Sequence, residues 1–285
     1  MYQTLADIEK DCLIRSMDYA EAIMTADAAD SGIDTACERA KMEEMWKAMR
    51  SAAENYDGSL KSRSGLVGGE GRKMDEYVAA GKCLAGDFMG RVISTALKLG
   101  ECNACMKRIV AAPTAGACGV LPAILVPYSC DTPDADIVQA LFVAAGIGSV
   151  IAENASISGA EGGCQAEIGS AAAMAAGTLV YLRNGTPAQV NDAVGIALSN
   201  LMGLVCDPVA GLVEVPCVKR NVIGAMDAVS AAEMALAGIS PKIPPDQIIR
   251  AMCEVGEDMS RNLKETGAGG LAATPEGIKI KDCLK

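Results

Sequence analysis

The stretch EGGCQAEIGSAAAMAAGTLVYL, residues 161–182, opens on two glycines and a cysteine and runs on as small apolar residues over 168–182. A run of this kind has a helical pattern and is shorter than the ~20 residues a membrane-spanning helix needs, so it reads as a buried core helix. Two other apolar stretches read the same way. Residues 109–128 are interrupted by Pro113, Pro122 and Pro127, and residues 137–152 also fall short of that length. From residue 74 onward, Ala-rich helical patterns alternate with Gly/Pro punctuation, and sustained β-branched alternation is almost absent. The chain is therefore predicted to be mainly α.

Hydrophobic residues make up 51% of the chain but aromatic ones only 3%, so the packing falls to Ala, Val, Ile, Leu and Met, with glycines at close approaches. This suits tightly packed, Ala/Gly-rich helices. A length of 285 residues fits one main domain, expected over residues 61–285, behind a helical extension over residues 1–60. Within that extension Met42, Met45, Trp46 and Met49 recur at three- and four-residue steps, as a packing face does. Residues 57–73, DGSLKSRSGLVGGEGRK, break the periodicity with five glycines and three serines and read as an extended loop, either linker or binding loop. A later break at residues 240–245 (SPKIPP), with Asp246 as N-cap, starts a helix in which Ile249, Met252 and Cys253 share an apolar face.

A net charge of -11 and a pI near 4.6 repel phosphate backbones, and no Lys/Arg cluster offsets this locally. Nucleic acid and membranes are not expected partners. Residues 1–10 are mixed and polar without an export pattern, so the expected location is the cytoplasm, where twelve cysteines stay reduced and most serve as small buried hydrophobes. The absence of histidine removes Ser-His-Asp and Cys-His catalysis, the usual zinc ligands and imidazole proton shuttles. Nucleotide signatures fail as well: Gly81-Lys82-Cys83 lacks the rest of a P-loop, and residues 267–272 (GAGGLA) follow no strand and read as a C-terminal turn. Cys102-Asn-Ala-Cys105 has redox spacing without a thioredoxin-like context, and Cys118 reads as a packing residue.

Three cysteines stand apart by context. Cys164 precedes the apolar helix, where the positive end of the dipole favours a thiolate, and Gly162 and Gly163 allow close backbone approach. Cys206 and Cys217 bracket CDPVAGLVEVPC, in which Pro208, Gly211 and Pro216 argue for a rigid loop presenting two thiols to a common point. On spacing alone the three remain readable either as ligands or as buried hydrophobes, and no CxxC pair supports a zinc ribbon.

The segments EGGCQAEIGSAAAMAAG (161–177), NLMGLVCDPVAGLVEVPCVKRN (200–221) and VAAPTAGACGVLPAIL (110–125) closely resemble the alpha chain of bacterial iron-sulfur-dependent L-serine dehydratase. The likeness runs from about residue 61 to 273 and includes KSRSGLVGGEGRK, IPPDQIIRAMCEVGEDM and GGLAATPEG. The resemblance implies an all-helical catalytic domain with Gly/Pro loops carrying the ligands of an oxygen-sensitive [4Fe-4S] cluster at Cys164, Cys206 and Cys217. It also implies conversion of L-serine to pyruvate and ammonia, and a separate beta subunit in a hetero-oligomer, which could supply a histidine.

In that frame three thiolates on a four-iron cube leave one iron open as a Lewis acid. The loop 61–73 and the turn 113–116 offer N–H groups, hydroxyls and cations for a carboxylate, with Ser62, Ser64, Gly68, Gly69 and Thr114 as candidate contacts. Lys61 and a group on the partner chain are the two candidates for the base. Cys283, expected on a mobile tail, is either a free terminal thiol or a displaceable ligand of the open iron, as a C-terminal cysteine is thought to be in single-chain relatives. Two rival functions share these features: a lyase acting on L-cysteine or another small amino acid, and a non-enzymatic iron-sulfur sensor, for which no effector module is present.

Overall fold

The structure is a computed structural model that describes residues 2–284. Its helices are α1 (Leu5–Arg15), α2 (Tyr19–Ser31), α3 (Thr35–Glu54), α4 (Glu70–Ala79), α5 (Gly86–Ala104), α6 (Val120–Tyr128) and α7 (Asp134–Asn154). They continue with α8 (Gly159–Gly162), α9 (Ser170–Leu182), α10 (Pro187–Leu201), α11 (Cys217–Leu236), α12 (Pro245–Asp258) and α13 (Pro275–Cys283). Among the described residues no strand forms, and the only β-type pairing is one isolated bridge between Cys206 and Lys264. The mainly α expectation holds.

The fold is organised around α9, whose residues from Ser170 to Val180 are all buried, with α6, α7, α10 and α11 packed against it. Six of those eleven buried residues are Ala or Gly, which is what lets four helices reach one axis closely. The apolar stretch expected at 137–152 extends to a 21-residue helix, α7, because polar residues at both ends join its first and last turns. It is long and apolar enough to cross a membrane by composition, yet 61% of its apolar window is buried inside this fold. Residues 109–119 form a loop, so the first apolar stretch is helical only from Val120.

The N-terminal helices share this core. Leu5, Ile8, Tyr19, Ile23, Trp46 and Met49 belong to the same buried cluster as α7 and α10, while Met45 turns to solvent. Trp46 Nε1 donates to Asp134 Oδ1 at 2.9 Å, and Tyr19 Oη donates to Asn191 Oδ1 at 2.9 Å. Asp246 does not cap its own helix as the sequence suggested: Pro244 occupies that position, and the Asp246 carboxylate instead accepts from Leu5 N (2.8 Å) and Ala6 N (3.2 Å). The first-turn N–H groups of α1 need acceptors, and a carboxylate brought by tertiary packing supplies them.

The loop expected over 57–73 closes early. Helix α4 begins at Glu70 because Glu101 of α5, only 1% exposed, accepts from Gly69 N (3.2 Å), Glu70 N (2.7 Å) and Gly71 N (3.4 Å), and from the Tyr56 hydroxyl. A buried carboxylate from a distant helix thus starts a helix that local sequence does not announce. At the other end the tail expected to be mobile is helix α13, started by Thr274, whose Oγ1 accepts from Gly277 N at 3.1 Å. Cys253 is half-buried against the core, while Cys102 and Cys118 are fully buried and donate to backbone carbonyls.

Replacing Glu101 by Ala strands the N–H groups that start α4 and should lower unfolding free energy by about 1–3 kcal/mol in urea titrations, with faster amide exchange over 60–71. Asp227 on α11 gives a pH signature. Burial pushes its carboxyl up to about 6 against the hydrogen bond from Asn200, and its Oδ2 is buried with no hydrogen-bond partner. An acid whose pKa is raised on folding favours the folded state below its unfolded value and loses that advantage as pH rises through the folded one. Asp227→Asn should therefore stabilise the protein at pH 7.5, by about 1 kcal/mol after allowing for partial solvent screening, and the gain should vanish near pH 4 in thermal melts.

Candidate functional site

Three of the cysteines meet. Cys164, Cys206 and Cys217, exposed by 3%, 2% and 8%, line one cavity of about 140 Å³ together with Gly116, Glu167, Pro208, Val213 and Glu265. Cys164 reaches it from a turn in which Gly163 has φ +75°, a conformation that favours glycine; a side chain there would also strike Met259 Sδ. The chain then runs through a π-helical turn, Gln165–Gly169, into α9, an insertion often found where a helix has been re-aimed at a functional group. Gln165 fixes this turn from three sides: its N–H donates to Leu204 O (2.8 Å), its Oε1 accepts from Gly203 N (2.8 Å), and its Nε2 donates to Met252 O (2.9 Å).

The segment 206–216 is the loop expected from its prolines and glycine, but its two ends differ. Cys206 lies in the extended bridge, donating to Leu263 O and accepting from Glu265 N, both at 2.8 Å. Cys217 is the first residue of α11, so it shares with Cys164 a place at a helix start. Arg220, one turn on, donates to Val205 O (2.7 Å) and to Asp207 Oδ1 (2.7 Å), with its side chain 14% and that of Asp207 4% exposed. Asp207 Oδ2 accepts from Leu271 N at 2.7 Å, which ties residues 263–271 over the cysteine loop.

The thiols are electrostatically unequal. A hydrogen bond from the Cys206 thiol lowers Cys164 below the ordinary cysteine range; burial opposes this, and the charge and hydrogen bond of Arg220 support it. The same bond, with burial, pushes Cys206 well up. Burial and the neighbouring Cys164 charge push Cys217 up to about 12. The Cys164 and Cys206 sulfurs are thus hydrogen-bonded to each other beside the Arg220 guanidinium, and the thiolate is the form that binds a metal.

A carboxylate completes the group. The ligand atoms of Cys164, Glu167 and Cys206 all lie within 4.8 Å of one another. Glu167 Oε1 accepts from Thr114 Oγ1 at 2.7 Å, and burial raises the Glu167 pKa against that bond. Cys217 sits on the same cavity, outside that tightest set.

The other anticipated residues are arranged around different partners. Ser62 Oγ donates to Glu214 Oε2 at 2.8 Å and Ser64 Oγ donates to the same oxygen, so both reach the cysteine loop through a carboxylate three residues before Cys217. Lys61 Nζ donates to Gly68 O at 2.5 Å within its own loop, and the Gly69 N–H is taken by Glu101. Of the substrate candidates only Thr114 touches a residue lining the cavity. Cys283 is exposed at the end of α13, a helix that packs on the turn Val209–Gly211. Sequence reasoning missed Glu167, Asp207, Glu214, Arg220 and Asn221. The available signal was spacing: Glu167 follows Cys164, and Arg220 and Asn221 follow Cys217, by the three or four residues that share a helix face.

Three thiols, a carboxylate and a guanidinium around one small cavity form a donor set for a soft metal centre, and thiolate is the ligand iron-sulfur clusters take. The residues present fit such a group: Cys164, Cys206 and Cys217 would hold it.

Residues 13–272 match the family described as serine dehydratase alpha chain. The chain is 47% identical over 243 residues to the probable L-serine dehydratase, alpha chain, of Bacillus subtilis, covering 85% of this chain and 81% of that one. It is 40% identical over 291 aligned residues to the L-serine dehydratase, alpha chain, of Peptoniphilus asaccharolyticus, covering 100% and 99%. It is also 47% identical over 192 residues to L-serine dehydratase 2 of Escherichia coli, where the match spans 66% of this chain and 41% of the relative.

Asn221 is the residue that joins the turn 113–116 to the cysteine helix. Its Nδ2 donates to Gly116 O (2.8 Å) and Cys217 O (3.0 Å), and its Oδ1 accepts from Gly119 N (2.8 Å). Asn221→Leu keeps the volume and strands these buried groups, so it should cost about 1–3 kcal/mol in urea unfolding and speed the reaction of Cys217 with a thiol reagent.

Proposed function

This chain belongs to the serine dehydratase alpha-chain family, and on that premise we propose that it is the iron-sulfur catalytic subunit of an L-serine ammonia-lyase working in the cytoplasm with a separate beta subunit. The observation that carries this reading is the convergence of Cys164, Cys206 and Cys217, from separate segments, on one buried cavity beside Glu167 and Arg220. The alpha-chain naming of two relatives, and the 41% share of a longer relative that this chain matches, support the second subunit.

The reaction removes the α-proton and the β-hydroxyl of L-serine as water. The enamine so formed tautomerises to an imine, and a water then hydrolyses it to pyruvate and ammonia. When bound, the [4Fe-4S] group supplies a Lewis-acidic iron for the serine hydroxyl, a poor leaving group in water. The cavity walls exclude bulk water from the reacting end of the substrate. Thr114 and the backbone of the turn 113–116 orient the substrate carboxylate, while Ser62 and Ser64 shape the adjoining loop through Glu214, Gly69 through Glu101, and Gly68 through the Lys61 ammonium. Lys61 is the proposed base within this chain. Its ammonium is tied to Gly68 O, so it serves only if that loop shifts when the partner docks; a group on the beta subunit fills the role otherwise.

Anaerobically reconstituted protein should hold about four irons per chain and bleach in air. Single Cys164→Ser, Cys206→Ser and Cys217→Ser variants should each lose the chromophore, whereas Cys102→Ser and Cys105→Ser should keep it. Stoichiometric zinc without visible absorbance in the wild type would defeat the iron-sulfur reading. With the beta subunit added, pyruvate from L-serine should exceed sulfide from L-cysteine; the reverse order would reassign the substrate.

A further inference from the structure

We propose that Glu167 is the protein's own ligand to the iron that the three cysteines leave open, holding that position with its carboxylate until substrate takes it. The inference rests on the iron-sulfur reading above and names a residue that reading leaves without a part.

Geometry carries it. Glu167 offers an oxygen within 4.8 Å of both the Cys164 and Cys206 sulfurs, on the wall of the cavity that Cys217 also lines. Thr114 Oγ1 holds Oε1 at 2.7 Å, which fixes the plane of the carboxylate and leaves Oε2 free to bind. The ground in front of Oε2 is kept clear: a Cβ at Gly159 would lie 2.5 Å from Oε2 and 3.1 Å from Cys206 Sγ, so a side chain there would fill the gap between oxygen and sulfur. Gly116 faces Oε1 in the same manner, with a built Cβ falling 3.2 Å away. No lysine or arginine pairs with this carboxylate among the described residues, and Arg220 is turned to Asp207, Val205 O and Cys164 instead. A partly buried carboxylate with one hydroxyl partner and no countercharge is costly unless a cation completes it.

Position within the chain agrees. Glu167 sits three residues after Cys164 inside the π-helical turn Gln165–Gly169, so the backbone that aims the thiol also aims the carboxylate. The other candidate for the open position, Cys283, is exposed at the end of α13 and does not line the cavity. An oxygen ligand suits an exchangeable role, since carboxylates are hard donors and bind cluster iron less firmly than thiolate does. The substrate brings a carboxylate and a hydroxyl of the same donor class, so exchange at that iron replaces oxygen by oxygen.

The test is Mössbauer spectroscopy of 57Fe-reconstituted, substrate-free protein under anaerobic conditions, with iron counted in parallel. Wild type should show one iron in about four distinct from the rest, and Glu167→Gln, which keeps the shape and the Thr114 contact but loses the charge, should lose or shift that signal. Iron falling from about four to about three per chain in Glu167→Gln would support the proposal equally, because the three cysteine-held irons would remain. Cys283→Ala should leave the spectrum as in wild type. A Glu167→Gln spectrum identical to wild type at full iron content would overturn the assignment, as would a Cys283→Ala protein that alone lost the distinct iron. Should Glu167→Gln fail to fold, judged by its helical circular dichroism, Thr114→Val decides. It keeps the carboxylate and frees its orientation, so the distinct signal should broaden or shift, and no change would overturn the proposal. Wild-type protein that takes up no iron would instead bring down the iron-sulfur reading itself, a result distinguishable from all of these.

Discussion

The buried pair between Arg220 and Asp207 is the contact on which the site depends. One guanidinium joins the start of α11 to the backbone at Val205, to the carboxylate beside Cys206 and to the sulfur of Cys164. The same carboxylate, through Leu271 N, holds down the segment that bridges Cys206. Burial alone would lower the Arg220 pKa, and the Cys164 and Asp207 charges more than offset it. With those charges in place the cation is fixed, and its bonds reach all three chain segments that bring the thiols together. Removing either partner leaves an uncompensated charge in the interior, which is far more damaging than replacing the pair by a well-packed apolar couple.

Around that pair, small residues do the geometric work. Helix α9 has no polar face to mark its orientation; it is oriented by its neighbours, and its Ala and Gly positions let α7, α10 and α11 approach its axis. The N-terminal helices contribute the large side chains, Trp46 and Tyr19, which anchor to Asp134 and Asn191 and cover the outer side of the same core. Two carboxylates then start helices far from their own sequence, Asp246 for α1 and Glu101 for α4. Helix starts here are set by tertiary contacts as well as by local caps such as Thr4, Asp18 and Thr186.

That explains which features could be read from sequence. The helical class follows from Ala-rich patterns and missing alternation, and the buried character of the segment at 168–182 follows from its composition. The prolines and glycine of 206–216 correctly mark a loop. Asp246 and Glu101 could not be placed, because a cap donated across more than thirty residues leaves no local pattern, and so the expected N-cap at Asp246 and the long loop over 57–73 both needed correction. The cysteines were separable by context, yet their convergence depends on Arg220, Asn221 and Gln165, polar residues whose partners are mostly backbone carbonyls and N–H groups. Backbone partners have no residue identity, so no pairing rule finds them. The tail was misread for a related reason: a glycine-rich approach suggests mobility, but Thr274 starts a helix that rests on the turn Val209–Gly211.

The bridge between Cys206 and Lys264 also has a consequence in time. A ribosome delivers Cys164, Cys206 and Cys217 in that order, and α11 and α12 must both follow before the partner of Cys206 exists. Until residues 263–271 emerge, the backbone around Cys206 has no bridge and Asp207 lacks the Leu271 N–H. The innermost chemistry of the molecule is therefore closed by a segment made late. A nascent chain carries its thiols exposed for the whole of that interval, in whatever redox conditions surround it.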